Sequence, residues 1–252
     1  MTRSNAVEIL AVPGIPLVRK DDDLVALIGQ GLAGGDIVPR GGDVFVLTQK
    51  IVSKAEGRMV DLATVEPSTE AVELAAKVQK DPRLVELILS ESVRVVRARP
   101  GILIVEHRLG FVMANAGIDQ SNVAPQDGVE RALLLPKDPD ASAESLRKKL
   151  NATALLIIDS FGRPWRRGTT GVAIGAAGLP AMLDLRGDPD LFGRTLQVTI
   201  SAFADEIAAA ASLVMGQADE ALPVIIVRGL SWKKPATNAA ELVRPATEDL
   251  FR

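Results

Sequence analysis

Two stretches of the sequence place oxygen-bearing side chains directly after a predicted strand. Asp119 lies among Asn, Gln and Ser residues in 115–122, and Asp159 and Ser160 follow the apolar run 153–158. Carboxylate, hydroxyl and amide oxygens are the ligands that Mg²⁺ and Mn²⁺ prefer in proteins. The pattern therefore predicts a divalent metal site, although the Asn, Asp, Ser and Gly residues of 115–122 would equally form an ordinary Asx-turn.

Two other stretches carry clustered cations. Lys50, Lys54 and Arg58 recur at a spacing of four after the apolar run 43–48, as on one face of a helix. A second cluster follows Asp159 and consists of Arg163, Arg166 and Arg167. Such groups bind phosphate or carboxylate oxygens. The alternatives are a solvated helix face for the first cluster and nucleic acid for the second, and a net charge of -3 gives nucleic acid little support.

An apolar loop stiffened by prolines follows the first predicted strand, with the sequence GIPLV over 14–18. Such a loop could form the wall of a base-binding pocket, and a plain packed turn is the alternative. Together with the oxygen-rich and cationic stretches, it fits a site that holds a metal–nucleotide complex and a second anionic substrate.

The composition excludes several classes of protein and site. The 252 residues contain no cysteine, which excludes disulfides, thiolate metal sites and cysteine nucleophiles. The one histidine, His107, excludes a multi-histidine metal centre, and its place in a predicted hairpin turn indicates a structural role. The P-loop, G-x-G-x-x-G, G-x-S-x-G and H-E-x-x-H motifs are absent. No apolar run approaches the roughly 18 residues of a membrane span and no secretory h-region is present, so we expect a cytoplasmic protein without a membrane partner.

The elements that position these residues are predicted from hydrophobic patterns. Helices are expected near 22–33, from 67, from 81, over 142–150 and over 204–215. Strands are expected over 7–12, 43–48, 153–158, 195–200 and 223–227, with a β meander over 93–112. Because strands and helices do not alternate strictly, the pattern favours an α+β or irregular α/β fold with mixed sheets over a doubly wound sheet.

Long motifs along the chain resemble those of the coenzyme F420-0:L-glutamate ligases, the γ-glutamyl ligases of a deazaflavin coenzyme. The matching stretches are GIPLV (14–18), TQKIVSKAEGR (48–58), NAGIDQSNV (115–123), LLLPKDPDASAESLR (133–147), IIDSFGRPWRRG (157–168), VAIGAAGL (172–179), ADEIAAAASLVMG (204–216) and VIIVRGL (224–230). The resemblance covers about residues 7–230 in order. It implies the single-domain form, with a ligase domain over 1–230, divisible into two intertwined subdomains, and a peripheral tail over 231–252.

The resemblance implies an unusual α/β fold, neither P-loop nor Rossmann, and a GTP-dependent reaction. Members of the family join L-glutamate to coenzyme F420-0 through an acyl phosphate, and many add further γ-linked glutamates. The resemblance also implies two divalent ions, Mg²⁺ or Mn²⁺, with a monovalent cation as a further candidate. The expected partners are these substrates and a second copy of the chain in a homodimer, with no nucleic acid.

Residue by residue, the resemblance assigns the nucleotide to four segments. Its expected contacts are Ile15, Pro16, Leu17, Val18, Gln49, Lys50, Lys54, Asn122, Met215, Gly216, Gln217, Ala218, Asp219, Glu220, Ala221 and Leu222. The expected metal ligands are Asp119, Asp159, Ser160 and Gln217. Gln217 stands where an archaeal-type member has a glutamate, so we expect weaker binding of the second ion, or a substitute carboxylate from Asp219 or Glu220. The cations left over near Asp159 are assigned to the acid acceptor, and they are Arg163, Arg166 and Arg167.

Two other functions stay open. A different nucleotide-dependent ligase of a carboxylate and an amine would use the same phosphate and metal groups with another acid acceptor. A non-catalytic nucleotide- or RNA-binding module would use the arginine cluster without chemistry. Metal dependence separates both ligases from the binding module, and the choice of acceptor separates the two ligases.

Overall fold

The secondary structure, seen in a computed structural model that describes residues 6–120 and 128–249, mixes strands and helices. The strands are β1 (Glu8–Ala11), β2 (Val44–Thr48), β3 (Met59–Asp61), β4 (Ser92–Arg99), β5 (Ile102–His107), β6 (Val112–Ala114), β7 (Arg131–Leu133), β8 (Ala154–Arg163), β9 (Arg166–Ala177), β10 (Leu183–Asp184), β11 (Ile200–Ser201) and β12 (Val224–Arg228). The α-helices are α1 (Leu24–Gly34), α2 (Gln49–Ala55), α3 (Thr69–Val78), α4 (Pro82–Ser90), α5 (Pro139–Lys149) and α6 (Phe203–Met215). Short 3₁₀ helices cover Leu62–Thr64, Asn115–Gly117, Ala239–Leu242 and Ala246–Glu248.

A five-stranded sheet in the order β1-β12-β2-β8-β9 forms the centre of the fold. Strands β2 and β8 are parallel, and the other three neighbouring pairs are antiparallel. A doubly wound fold would instead need a run of parallel strands joined by helices. The expectation of a mixed α/β fold that is neither P-loop nor Rossmann is confirmed.

Both faces of the central sheet are buried. Phe45 and Leu47 of β2 face the core shared with α1, α2 and α5, whereas Val44 and Val46 face the core shared with α6. Successive side chains of a strand point to opposite faces, so a strand covered on both sides needs an uninterrupted apolar run. This explains why residues 43–48 and 153–158 carry no alternation in hydrophobicity.

Two glycines allow the helices to approach strand β9 closely. A Cβ atom at Gly171 would lie 2.4 Å from the carbonyl oxygen of Ala208 in α6. A Cβ atom at Gly175 would lie 2.3 Å from the carbonyl oxygen of Pro139, at the start of α5. Any larger residue at either position would push a helix away from the sheet.

A second unit packs beside the central sheet around its own core. Helices α3 and α4 cover the antiparallel sheet β4-β5-β6, and the buried residues include Leu62, Ile88 and Leu103. The predicted meander over 93–112 is confirmed by these three strands. The short pair β3–β7 links this unit to the segment that carries Asp119.

The strand expected over 195–200 is wrong. Within it, Ile200 alone belongs to a strand, the two-residue β11, which pairs with β10. The segment is instead largely exposed, and Val198 is 85% exposed. The pattern fails because no sheet face of the described residues lies beneath this segment.

The described part of the tail, residues 231–249, runs mostly exposed over the surface and is anchored at several points. Trp232 packs edge-on against Phe203 of α6, with ring centroids 6.1 Å apart. Ala239 is fully buried, and its N–H donates a hydrogen bond to Asp140 Oδ1 at 2.9 Å. Within residues 6–120 and 128–249, no helix combines the length and the apolar character that a membrane span requires.

Candidate functional site

Four chain segments meet at one edge of the central sheet because of its strand register. Thr48, at the end of β2, lies beside Ile158 of the parallel strand β8. Strand β12 runs antiparallel to β2, so its first residue, Val224, pairs with Leu47 and the loop before it reaches the same edge. The loop after β1 also arrives there, since the N–H of Val12 donates to the carbonyl oxygen of Val224 at 2.9 Å.

These four segments, together with Asp119 and Gln120, line a cavity of about 870 Å³. The predicted site residues that line it are Ile15, Pro16, Leu17, Val18, Lys50, Lys54, Asp119, Asp159, Ser160 and the stretch 215–222. Gln49 is instead buried, and its Oε1 accepts a hydrogen bond from Ser53 Oγ at 2.8 Å. Asn122 lies outside the described residues. Five lining residues were not predicted, and each is adjacent in the chain to a predicted one: Thr48, Ile51, Gln120, Ile158 and Pro223.

Asp119 is held in place by backbone pairing with β7. Its N–H donates to the carbonyl oxygen of Leu133 at 3.0 Å, and its own carbonyl oxygen accepts from Leu133 N–H at 2.8 Å. The preceding turn, Asn115–Gly117, is left-handed at all three residues, with φ of 52°, 53° and 67°. Non-glycine residues seldom adopt this conformation. Three left-handed residues in a row turn the chain sharply just before Asp119. The Oδ2 atom of Asp119 lies 2.7 Å from Lys50 Nζ.

Asp159 projects from within β8. The prediction that the strand ends at Ile158, before Asp159, is wrong, because β8 continues to Arg163 in a ribbon with β9. The pKa of Asp159 is raised to about 6, with burial as the largest cause; the negative charge of Asp119 also raises it, and the Lys50 ammonium lowers it. Two carboxylates that repel each other in this way favour the binding of a cation.

Ser160 belongs to a second group of oxygens. Successive side chains of a strand point to opposite faces, so Ser160 faces away from its neighbour Asp159. Its hydroxyl donates to Gln217 Oε1 at 2.7 Å. The candidate metal ligands therefore form two groups, the carboxylates of Asp119 and Asp159 and the pair Ser160–Gln217.

Helix α2 supplies two of the three cations expected on one helix face. Lys50 and Lys54 are one turn apart and both line the cavity. Burial lowers the pKa of Lys54, and the positive charge of Lys50 lowers it further. The expectation is wrong for Arg58, because α2 ends at Ala55. The guanidinium of Arg58 instead donates to Leu135 O and to Glu91 Oε1, both at 2.8 Å.

The loop after α6 folds around the side chain of Glu220. Gly216 has φ of 74°, a left-handed conformation that favours glycine. The Oε2 atom of Glu220 accepts a hydrogen bond from Ala218 N–H at 2.8 Å, and this backbone contact lowers the pKa of Glu220. The carboxylate of Glu220 is thus turned into its own loop. Of the two carboxylates that could substitute for Gln217 as a metal ligand, Asp219 is the one that is not held in this way.

The chain is similar in sequence to known proteins of one family. A family model described as F420-0:Gamma-glutamyl ligase matches residues 14–229. The coenzyme F420:L-glutamate ligase of Methanothermobacter thermautotrophicus is 46% identical over 253 residues, which cover 98% of this chain and 99% of that protein. The proteins of the same name from Methanopyrus kandleri and Archaeoglobus fulgidus are 43% and 41% identical, over 96% and 98% of this chain and 98% and 96% of theirs. The chain belongs to the F420-0:gamma-glutamyl ligase family. It is therefore an enzyme of the ligase class.

The arginine cluster of this family member lies away from the cavity. Arg163 and Arg166 pair at the tip of the β8–β9 hairpin, and Trp165 between them has φ of 57°. These residues and Arg167 are exposed, and none of them lines the cavity. The assignment of Arg163, Arg166 and Arg167 to the acid acceptor stays a prediction.

The donor set in the cavity fits hard divalent cations. It offers two carboxylates, one hydroxyl and one amide oxygen, all of the type that Mg²⁺ and Mn²⁺ accept. Within residues 6–120 and 128–249, no group of three or more His, Asp or Glu residues could hold a metal ion. Water molecules or oxygens of a bound substrate would therefore complete the coordination of such an ion.

A larger cavity, of about 1030 Å³, lies on the opposite side of α2, between α1 and α5. It contains no predicted site residue. Two of its carboxylates, Asp23 and Asp138, cap the N-termini of α1 and α5, and a third, Glu56, accepts hydrogen bonds from Ser142 Oγ and Lys137 N–H. Because these acids serve the fold, the smaller cavity is the candidate active site of this ligase.

Proposed function

We propose that this protein is a GTP-dependent ligase that joins L-glutamate to coenzyme F420-0 and then adds further γ-linked glutamates. The observation that supports this proposal is the convergence of an apolar loop, two lysines and two carboxylates in one cavity. The names of the family and of the relatives reported above support the same acceptor and amino acid. GTP and free glutamate are cytoplasmic metabolites, so we place the reaction in the cytoplasm.

Each segment of the cavity has a role in binding the nucleotide. The apolar side chains of 15–18 cover the guanine base, and Lys50 and Lys54 donate charge-assisted hydrogen bonds to the phosphates. The oxygens of Asp119 and Asp159, with those of Ser160 and Gln217, would hold the divalent ions. When bound, these ions supply positive charge that offsets the charge of the phosphates.

The proposed chemistry consists of two transfers. A carboxylate oxygen of F420-0 attacks the γ-phosphorus of GTP, an acyl phosphate forms and GDP leaves. The amine of glutamate then attacks the acyl carbon, an amide bond forms, inorganic phosphate leaves and the amine loses a proton to solvent. Carboxylate and triphosphate repel each other, and the ammonium groups of Lys50 and Lys54 offset this repulsion in the first transfer.

The direct test is to incubate the purified protein with F420-0, L-glutamate, GTP and Mn²⁺ and to measure the product masses. We expect glutamyl additions that require all four components, and fewer additions when ATP replaces GTP. Addition to another carboxylic acid but not to F420-0 would contradict the proposed acceptor. No addition to any acid, with GTP left intact, would contradict a ligase.

We also propose that the enzyme is a homodimer. Leu191, Phe192 and Val198 are almost fully exposed on the segment between β10 and β11. Clustered apolar side chains on a surface are typical of protein interfaces. Light scattering should give the mass of a dimer for the full chain and a lower mass for Phe192→Glu. A dimer unaffected by Phe192→Glu would place the interface elsewhere.

A further inference from the structure

We propose that Lys50 is an internal counter-ion of the metal site, which pairs with Asp119 until a metal–nucleotide complex displaces it. The inference rests on the proposed function, because it concerns how the ligands of that site bind. It gives Lys50 a role in metal binding in addition to its predicted contact with the nucleotide.

The ammonium of Lys50 lies where a cation would neutralise Asp119. Lys50 Nζ is 2.7 Å from Asp119 Oδ2, and the two side chains are 28% and 25% exposed, so solvent screens this ion pair only in part. The position of Lys50 is fixed by the first turn of α2, since its N–H donates to Thr48 Oγ1, the N-cap, at 3.0 Å. The charge of Lys50 also lowers the pKa of Asp159, whereas the charge of Asp119 raises it.

A bare divalent ion has to break this ion pair before it can use the Asp119 carboxylate. The ammonium of Lys50 then loses its partner and lies close to a doubly charged cation. The repulsion between the ammonium group and a divalent cation bound to the same carboxylate is substantial in a partly buried site. The protein should therefore bind the ion weakly when no nucleotide is present.

A metal–nucleotide complex removes both penalties. Its phosphate oxygens can accept the ammonium of Lys50 while its metal ion takes Asp119, so every charge keeps a partner. The metal ion and the nucleotide should then bind cooperatively, each raising the affinity for the other by the same factor. The lysine thus favours loading of the metal together with GTP over loading of the metal alone.

Calorimetric titrations of the full-length protein test this exchange. Lys50→Met should bind bare Mn²⁺ about tenfold more tightly than the wild type, because the competing ammonium is gone. The same variant should bind Mn²⁺–GTP about tenfold or more weakly, because a charge-assisted hydrogen bond is lost. Lys149→Met removes an equal charge outside the site and should leave both affinities unchanged.

The outcomes separate this inference from the proposed function. Equal affinities of the wild type and Lys50→Met for bare Mn²⁺ would overturn the counter-ion role, even where Mn²⁺–GTP binds tightly. Adding Asp119→Asn to Lys50→Met should abolish the gain, and a gain that persists would also overturn it. A wild type that binds neither bare Mn²⁺ nor Mn²⁺–GTP would contradict the proposed function itself. Thermal unfolding confirms that each variant is folded, and Lys50→Gln replaces Lys50→Met if the latter is not.

Discussion

Glu91 and Asp159 are both carboxyl groups held largely away from solvent, yet their surroundings shift their ionisation in opposite directions. Burial alone would raise the pKa of Glu91, but His107 and the guanidinium groups of Arg58 and Arg108 lower it to about 2. The pKa of Asp159 is raised to about 6, with burial as the largest cause. Burial is common to the two carboxyl groups, so the opposite directions of their pKa shifts come from the neighbouring charges.

The charges around the two carboxyl groups are arranged differently. One carboxylate, Glu91, lies 2.8 Å and 3.0 Å from two arginine side chains. In the cavity, Lys50 acts on both carboxylates, Asp119 and Asp159, and Lys54 acts on Asp119. A buried carboxylate whose charge is neutralised by neighbouring cations has a structural role, whereas a pair of carboxylates whose charge is only partly neutralised attracts a cation. The neighbouring charges therefore distinguish the structural acid from the candidate metal ligands, which residue type alone does not.

The largest effect is expected at the under-compensated pair. Asp159→Asn should slow glutamyl transfer by about 10²–10³-fold, because a neutral amide removes charge that the metal and the transition state both require. Product formation at limiting Mn²⁺, followed by mass spectrometry, measures the loss. Asp184→Asn changes an exposed carboxylate that pairs with Arg186 outside the cavity and should keep full activity. Full activity of Asp159→Asn would remove this residue from the proposed metal site.

At the compensated acid, the loss should be in stability. Glu91→Gln should lower the free energy of unfolding by about 3 kcal/mol near neutral pH, because two arginines lose their charge partner. The lowered pKa of Glu91 makes this stabilisation present above its ordinary value of 4.5 and lost as the pH falls toward 2. Urea unfolding of wild type and variant at about pH 7 and about pH 3 measures the difference.

The same variant also separates stability from function. Glutamyl transfer per folded molecule should be unchanged in Glu91→Gln, since Glu91 does not line the cavity. A destabilisation of equal size at both pH values would contradict the charge argument. It would indicate instead that the packing of this side chain, and not its ionisation, stabilises the fold.

The parts of the fold that follow from local patterns could be predicted from the sequence. The apolar runs 43–48, 153–158 and 223–227 correspond to the buried part of β2, β8 and β12. The residues that these strands deliver to one edge were also predictable, because motif residues such as Asp159 directly follow an apolar run. The convergence of the segments depends on strand order and register, which the family resemblance implies but no local pattern shows.

The parts that depend on long-range partners could not be predicted. The polar residues after Ile158 form a strand because β9 continues to pair with them after the pairing of β8 with β2 has ended. Arg58 continues the spacing of Lys50 and Lys54, but Gly57, at φ of 69°, ends the helical path before it. The ion pair between Lys50 and Asp119 joins residues far apart in sequence, so their charge balance becomes visible only in the folded structure.

A smaller effect is expected on the stability of the metal-free protein. Asp159 has a folded pKa raised from 3.8 to about 6, so the folded state holds a proton that the unfolded state loses between these values. The cost of its ionisation therefore grows as the pH rises through this window and is constant above it. Asp159→Asn should stabilise the metal-free fold by about 1–3 kcal/mol near pH 8 and hardly at all near pH 4. Thermal unfolding in the presence of a chelator measures this, and a destabilised variant at pH 8 would contradict the charge imbalance.

The smallest effect is expected at Glu144, whose pKa is lowered to about 2, as is that of Glu91. Its partners are Arg147 and Lys148 on the surface of α5, and 39% of its side chain is exposed. Water screens such pairs, so Glu144→Gln should change the free energy of unfolding by less than about 0.5 kcal/mol. Urea unfolding in the same series as Glu91→Gln provides the comparison. A cost near that of Glu91→Gln would mean that a lowered pKa marks a structural acid whether or not the group is buried. Burial together with charge compensation would then no longer distinguish Glu91 from the acids of the cavity.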